Sequence, residues 1–188
     1  MFTPLPDLVV GPSLAGVPVL ASDGSILVLV GHLPNGSTHV WSGSPERLER
    51  RAELDPRLQP VSLVHHRGDW HLFGSLDGSR PYHAVSDDLV RWHVDGDFAL
   101  EHPHLRVTGA AATIDGIVVV GSVVAHGRTI GWTLLAQDSG TGRYRAREIT
   151  FPLTPEHVVV GPTAVRDDEL AMAVSSGTTH LIARTARG

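Results

Sequence analysis

The chain has 188 residues, 41% hydrophobic and 19% charged, with a formal net charge of -5. That mix fits one globular domain with a buried core and excludes a disordered chain. There is no basic cluster to hold a nucleic acid, and no apolar run long enough to cross a bilayer as a helix.

Cysteine is absent and every basic residue is Arg, which excludes disulfides, thiolate ligands, Schiff-base lysines and a P-loop lysine. The N-terminus, Met1 to Asp7, has no basic stretch and no long apolar core. No signal peptide is visible there, and a cytoplasmic location is the expectation. With 20 Gly, 13 Pro and many short β-branched runs, the chain reads as all-β.

Taken in order, the runs fall into four similar units, about 8–55, 56–104, 105–157 and 158–188, the last completed by 1–7. The first unit has expected strands at Val10–Leu20, Ile26–Gly31, Thr38–Ser42 and Leu48–Glu53, with Ser22-Asp23-Gly24 as a turn. The second has Pro60–His66, Trp70–Gly74, Pro81–Ser86 and Trp92–Asp95, and the third Val107–Ile114, Ile117–Ser122, Thr129–Ala136 and Arg143–Ile149. The fourth has Val160–Arg166, Leu170–Ser175 and Thr178–Ala183, and no fourth strand of its own.

Phe2-Thr3-Pro4-Leu5-Pro6 resembles Phe151-Pro152-Leu153-Thr154-Pro155, and Val10-Gly11-Pro12 resembles Val160-Gly161-Pro162. Gly11, Gln59, Thr108 and Gly161 recur at intervals of roughly 50 residues, a propeller period. The expectation is a small β-propeller of four blades, closed by Phe2–Leu5 as the missing strand, which would protect an open sheet edge. Alternate residues of the first strands (Gln59, Val61, Leu63; Thr108, Ala110, Ala112; Gly161, Thr163, Val165) are expected to face the axis. No stretch holds a 3.6-residue apolar period, so no helix is expected, and a sandwich of the same short strands is the rival architecture.

Residues 59 to 98 are the most specific stretch. Leu63-Val64-His65-His66 leads through a turn to Trp70-His71-Leu72-Phe73-Gly74, then Tyr82-His83-Ala84-Val85-Ser86-Asp87-Asp88-Leu89-Val90-Arg91-Trp92. This resembles one blade of the five-bladed β-propeller glycoside hydrolases, the invertase/fructanase and arabinanase-type families. The resemblance implies a pocket over the axis where three carboxylates cleave a glycosidic bond. It places them on Gln59, Gly161 and Val10, with Thr108-Gly109 at the middle position, and none of these is a carboxylate. A Gln amide is neither nucleophile nor base at neutral pH, so the usual hydrolysis is expected to be missing.

Two candidate sets remain at the mouth. His32, Ser75 and Ser122 each follow a Gly at the end of a second strand, and with Gln59, Asp77 and His126 they form the expected ligand-binding set. Asp7, Asp55, His104 and His157 each stand four residues before an inner-strand anchor. Such a ring suits a divalent metal or an acid–base pair. His39, His83 and His180 align on third strands and are expected to pack between blades or lie at the surface. The expectation is a binding module for a carbohydrate or other polar small molecule. The alternative is a repurposed enzyme using His/Asp acid–base or metal-assisted chemistry on a biosynthetic intermediate.

Overall fold

The computed structural model describes residues 14–138, 140–149, 159–166, 169–176 and 179–185. They form four separate antiparallel sheets, each running in chain order from its first strand outward. Blade one holds β1 (Ala15–Ser22), β2 (Leu27–His32), β3 (Thr38–Ser44) and β4 (Arg47–Leu54). Blade two holds β5 (Leu58–His66), β6 (Asp69–Leu76), β7 (Arg80–Ser86) and β8 (His93–Val94). Blade three, β9 (Leu105–Ala112), β10 (Ile117–Ala125), β11 (Arg128–Gln137) and β12 (Tyr144–Ile149), follows a short helix α1 (Gly96–Glu101). Blade four shows β13 (Val159–Arg166), β14 (Glu169–Ser176) and β15 (Thr179–Thr185). The architecture is that of a small four-bladed propeller, and among the described residues no ladder joins one sheet to the next. Phe2–Leu5 lies outside the described residues. Among the described residues no helix is long and apolar enough to cross a membrane.

Period-2 alternation gives each sheet two faces, and both are used. On β6, Trp70 and Leu72 join Val28, Val30 and Val40 in the seam between blades one and two. The alternate residue Phe73 joins Leu105, Val107, Ile117, Val119 and Tyr144 in the seam between blades two and three. Val120 and Trp132 then meet Val160, Met172 and Val174 between blades three and four. First strands touch in succession, β1 against β5, β5 against β9 and β9 against β13, so they form the inner layer.

This arrangement corrects the expectation that alternate first-strand residues face the axis. The sheet faces look sideways at neighbouring blades, so Leu63 lies in the first seam and Ala110 in the second. The helix is the second correction. Asp95 caps it by accepting the Phe98 N–H at 3.2 Å, and Phe98 is its buried anchor. Six residues are too few to show a helical period.

Each first strand carries a register shift near the same level. The shifts lie between Ala15 and Val19, Pro60 and Ser62, Val107 and Gly109, and Val160 and Thr163. In blade two the extra residue is Val61, since Pro60 pairs with Gly74 and Ser62 with Phe73. The bulge has a cause on the facing strand. A Cβ on Gly74 would overlap the Gln59 carbonyl oxygen and stand 3.2 Å from the Pro60 Cα. Only glycine allows the two backbones to approach this closely.

Candidate functional site

The bulge places Gln59 at the rim of blade two. Its register partner is Ser75, 9% exposed, at the end of β6. The Gln59 amide lies against the β6–β7 turn, its Oε1 3.4 Å from where a Gly78 Cβ would be. Asp77 in that turn sits at φ 53, a left-handed conformation that Asp tolerates better than most residues. The turn is held to the start of β5 by Asp77 N–H donating to the Arg57 carbonyl at 3.2 Å. Gln59, Ser75 and Asp77 are thus brought together by one hairpin.

A belt of alternating charge surrounds them. Asp55 accepts from Arg57 Nη2 at 2.7 Å, Nε at 3.0 Å and the backbone N–H at 2.9 Å. The Arg57 hydrogen bonds hold the exposed Asp55 carboxyl down at about 2. Asp77 Oδ2 stands 3.3 Å from Arg80 and 3.8 Å from Arg57. Two carboxylates and two guanidinium groups therefore compensate each other at this rim. Tyr82, 5% exposed, lies beneath it. Burial, with the Asp55 charge second, raises its phenol above the usual range.

The other expected ligand residues come from other blades. His32 ends β2, and its Nδ1 is 3.0 Å from the Thr38 hydroxyl. Ser122, 2% exposed, sits in β10 between Arg106 and Trp132. His126 is exposed in the β10–β11 turn at φ 51. All three stand at the end of the molecule where second strands finish, as Ser75 does. Of the proposed metal ring, Asp55 is engaged by Arg57 and His104 is exposed before β9, where its carbonyl accepts from Val124. Asp7 and His157 lie outside the described residues. Among the described residues no group of three or more His, Asp or Glu is placed to hold a metal ion. No indole is open at the rim for sugar stacking either: Trp41, Trp70 and Trp132 are buried and Trp92 is partly buried.

A second polar constellation lies in the seam between blades two and three. His83 Nδ1 is 2.9 Å from Asp95 Oδ2, and His83 Nε2 is 3.1 Å from His71 Nδ1. The His83 ring stacks on Phe73 at 4.4 Å and meets Phe98 and Tyr144 edge-on. His83 is 3% and His71 7% exposed. Burial, and then the neighbouring His83, pulls the His71 imidazole down to about 4. The His83 hydrogen bond lowers Asp95 below the ordinary carboxylate range. His83 was expected to pack between blades, which it does, but its bonds to Asp95 and His71 were not foreseen. The signal was available. His71, His83 and Asp95 stand 12 residues apart along the chain, and His71, whose register partner is Val85, reaches His83 as a diagonal neighbour on the same face. His39, aligned with His83 on the third strands, is also buried, and its Nε2 is 2.8 Å from the Ser37 hydroxyl, while the His180 side chain lies outside the described residues.

No family model and no curated protein matches the chain. Solved structures do. A GH43 endo-arabinanase from Bacillus licheniformis is 14% identical with a TM-score of 0.54, over 89% of this chain and 69% of that one. The native arabinanase of Bacillus subtilis is 13% identical with a TM-score of 0.53, over 87% and 66%. A glycosyl hydrolase from Bacteroides ovatus is 11% identical with a TM-score of 0.55, over 89% and 63%. At these identities the likeness is one of fold. The chain shares the propeller architecture of glycoside hydrolases and spans about two thirds of the length of these structures.

Proposed function

We propose that the chain is a binding propeller with a glycosidase-like fold, which holds a neutral carbohydrate or similar polar small molecule at the rim of blade two and does not cleave it. The observation that carries this reading is the bulge at Pro60–Ser62, which sets the exposed Gln59 amide beside Ser75 and the Asp77–Gly78 turn. An amide offers both donor and acceptor to a pair of hydroxyls, and the Asp77 carboxylate and Arg80 guanidinium extend that pattern. The compensated charges of the rim favour an uncharged ligand. The positions that the family resemblance points to hold Gln59, Thr108-Gly109, Gly161 and Val10. They supply neither nucleophile nor acid for glycoside cleavage.

The test is calorimetric titration with arabino- and fructo-oligosaccharides, run beside a hydrolysis assay on the same sugars. Binding is expected with hydrolysis at background, and Gln59→Ala should weaken binding about tenfold, the effect of losing one or two hydrogen bonds. Turnover that disappears when Asp55 or Asp77 is replaced would overturn the reading in favour of an enzyme. Binding unaffected by Gln59→Ala would remove the ligand from this rim.

A further inference from the structure

The Asp95–His83–His71 chain has a direction that its donors and acceptors dictate. An ionised carboxylate can only accept, so His83 carries its hydrogen on Nδ1 and presents a bare Nε2. That nitrogen can only accept in turn, so His71 donates from Nδ1 and keeps its lone pair on Nε2. One added proton need not break this array. It makes His83 an imidazolium that donates to Asp95 on one side and to His71 Nδ1 on the other. The hydrogen of His71 then resides on Nε2, so the polarity of the His–His bond reverses while its geometry stays. A second proton has no such accommodation. It sets a His83 N–H against a His71 N–H across 3.1 Å, with a positive charge on each ring.

We propose that Asp95, His83 and His71 form a two-proton latch across the seam between blades two and three, which absorbs one proton by reversing its hydrogen bond and opens on the second. The latch is placed to act on the seam. Asp95 holds His83 through one carboxylate oxygen and the α1 cap through the other. Phe98 of α1 packs on Phe73 at 5.8 Å and on Tyr144 of blade three at 5.3 Å. The Tyr144 hydroxyl is buried without a hydrogen-bond partner among the described residues, and the Asp95 charge reaches it. Separation of the two imidazoles moves the His83 ring and, with it, the Asp95 carboxylate it holds, so the helix cap and the aromatic contact with blade three are disturbed together.

The charged and titratable groups on the elements around the latch are few. β5 contributes His65 and His66, whose charges disfavour a proton on His71. β6 begins with Asp69, β8 with the exposed His93, and β9 carries the exposed Arg106. α1 carries Asp97 and Glu101, with His102 at its C-cap, and Glu101 stands 3.9 Å from Arg143 beside β12. Tyr144 and the exposed Arg145, Arg147 and Glu148 complete the set on β12. Of all these groups, His71, His83 and Asp95 are the ones joined by the two hydrogen bonds of the array.

The test follows imidazole nitrogens by NMR on the intact chain from pH 8 to pH 3.5, with amide exchange of Phe98 in parallel. Wild type should show His71 moving its hydrogen from Nδ1 to Nε2 in a first step while still neutral, and then gaining charge in a second step. Phe98 protection, corrected for intrinsic exchange, should survive the first step and fall at least tenfold in the second. Asp95→Asn keeps an acceptor for His83 but removes the charge, so the first step should move to lower pH by a tenfold or greater loss in proton affinity. His66→Gln should leave both steps in place. A His71 that keeps Nδ1–H until it charges would overturn the latch, as would Phe98 protection that ignores the second step. Should Asp95→Asn fail to fold, the nitrogen assignments in wild type decide alone.

Discussion

The bulge that presents Gln59 depends on a glycine opposite it, so Gly74→Ala should damage the fold through one identifiable overlap. The added methyl meets the Gln59 carbonyl oxygen, and the Gln59 carbon and Pro60 Cα lie at 3.1 and 3.2 Å. These are backbone atoms on a segment whose φ is fixed at Pro60, so relief requires β5 to move rather than a side chain to turn. Overpacking of this kind costs about 1–3 kcal/mol, and the entropy gained on replacing a strand glycine returns about 0.5–1 kcal/mol. The net loss should be about 1–2 kcal/mol, or roughly 2–8 °C in Tm for a chain of this size. Gly31 occupies the matching place in blade one, where an added Cβ would meet Pro18 Cβ at 3.3 Å and the tip of Leu14 at 3.4 Å. Gly31→Ala should therefore be close to neutral. Gly121→Ala should resemble Gly74→Ala, because the Arg106 carbonyl oxygen lies 2.7 Å from its Cβ position. Urea unfolding at constant m-value reads all three. Equal losses at Gly31 and Gly74, or no loss at Gly74, would refute the close-approach argument.

The remaining predictions concern the inner layer and acid. The Ser62 hydroxyl donates to the Ala110 carbonyl and accepts from the Ala110 N–H, both at 3.1 Å, joining the first strands of blades two and three. Ser62→Ala should cost about 1–2 kcal/mol in urea unfolding, and Ser62→Thr should recover part of it if the bridge is the cause. The His71 imidazole has an ordinary value of 6.5 and is held at about 4 in the folded chain, so the unfolded chain binds more protons between those limits. Stability should be complete above pH 6.5 and fall as pH drops towards 4, by up to about 3 kcal/mol, with the loss from Asp95 following at lower pH. A flat stability profile from pH 7 to pH 4 would contradict the burial of His71.

Much of the fold was legible because each blade repeats the same strand pattern, and blade two repeats it most plainly between Leu63 and Trp92. The bulges were not legible. Counting Gln59, Val61 and Leu63 as one face assumes unbroken alternation, and a single inserted residue defeats it. Val61 is left 37% exposed while Leu63, two positions on, enters the seam at 6%. Gln59, Ser75 and Asp77 could be grouped in advance because hairpin register joins the start of one strand to the end of the next. The Asp95–His83–His71 chain escaped because His83 was aligned with His39 and His180 on the third strands of other blades. That reasoning concerned separate blades and overlooked a partner within the same sheet.

The inner layer also says where a ligand can go. A Cβ on Gly109 of β9 would stand 2.6 Å from the Thr163 hydroxyl of β13, so these first strands meet with no space for a side chain between them. Ser62 and Ala110 are in hydrogen-bond contact at the preceding junction. Inner strands packed this tightly leave no room for a sugar ring between these neighbouring blades, so the ligand proposed above is expected at the rim. The register shifts lie beside these contacts, at Pro60–Ser62, Val107–Gly109 and Val160–Thr163, and a bulge bends the strand and re-aims the residues next to it. The register shift in each first strand therefore has a double effect. It allows close contact between inner strands, and it turns the start of the strand outward. Of the described positions so turned, Gln59 alone combines an exposed polar side chain, a facing hydroxyl at Ser75 and a charged turn at Asp77. Moving that amide by one residue, as in the double variant Gln59→Ala with Leu58→Gln, should abolish binding rather than transfer it. Leu58 is fully buried in the seam between blades one and two, so a polar group there faces the core and not the rim. Binding retained by the double variant would show that recognition does not depend on where the bulge aims its neighbour.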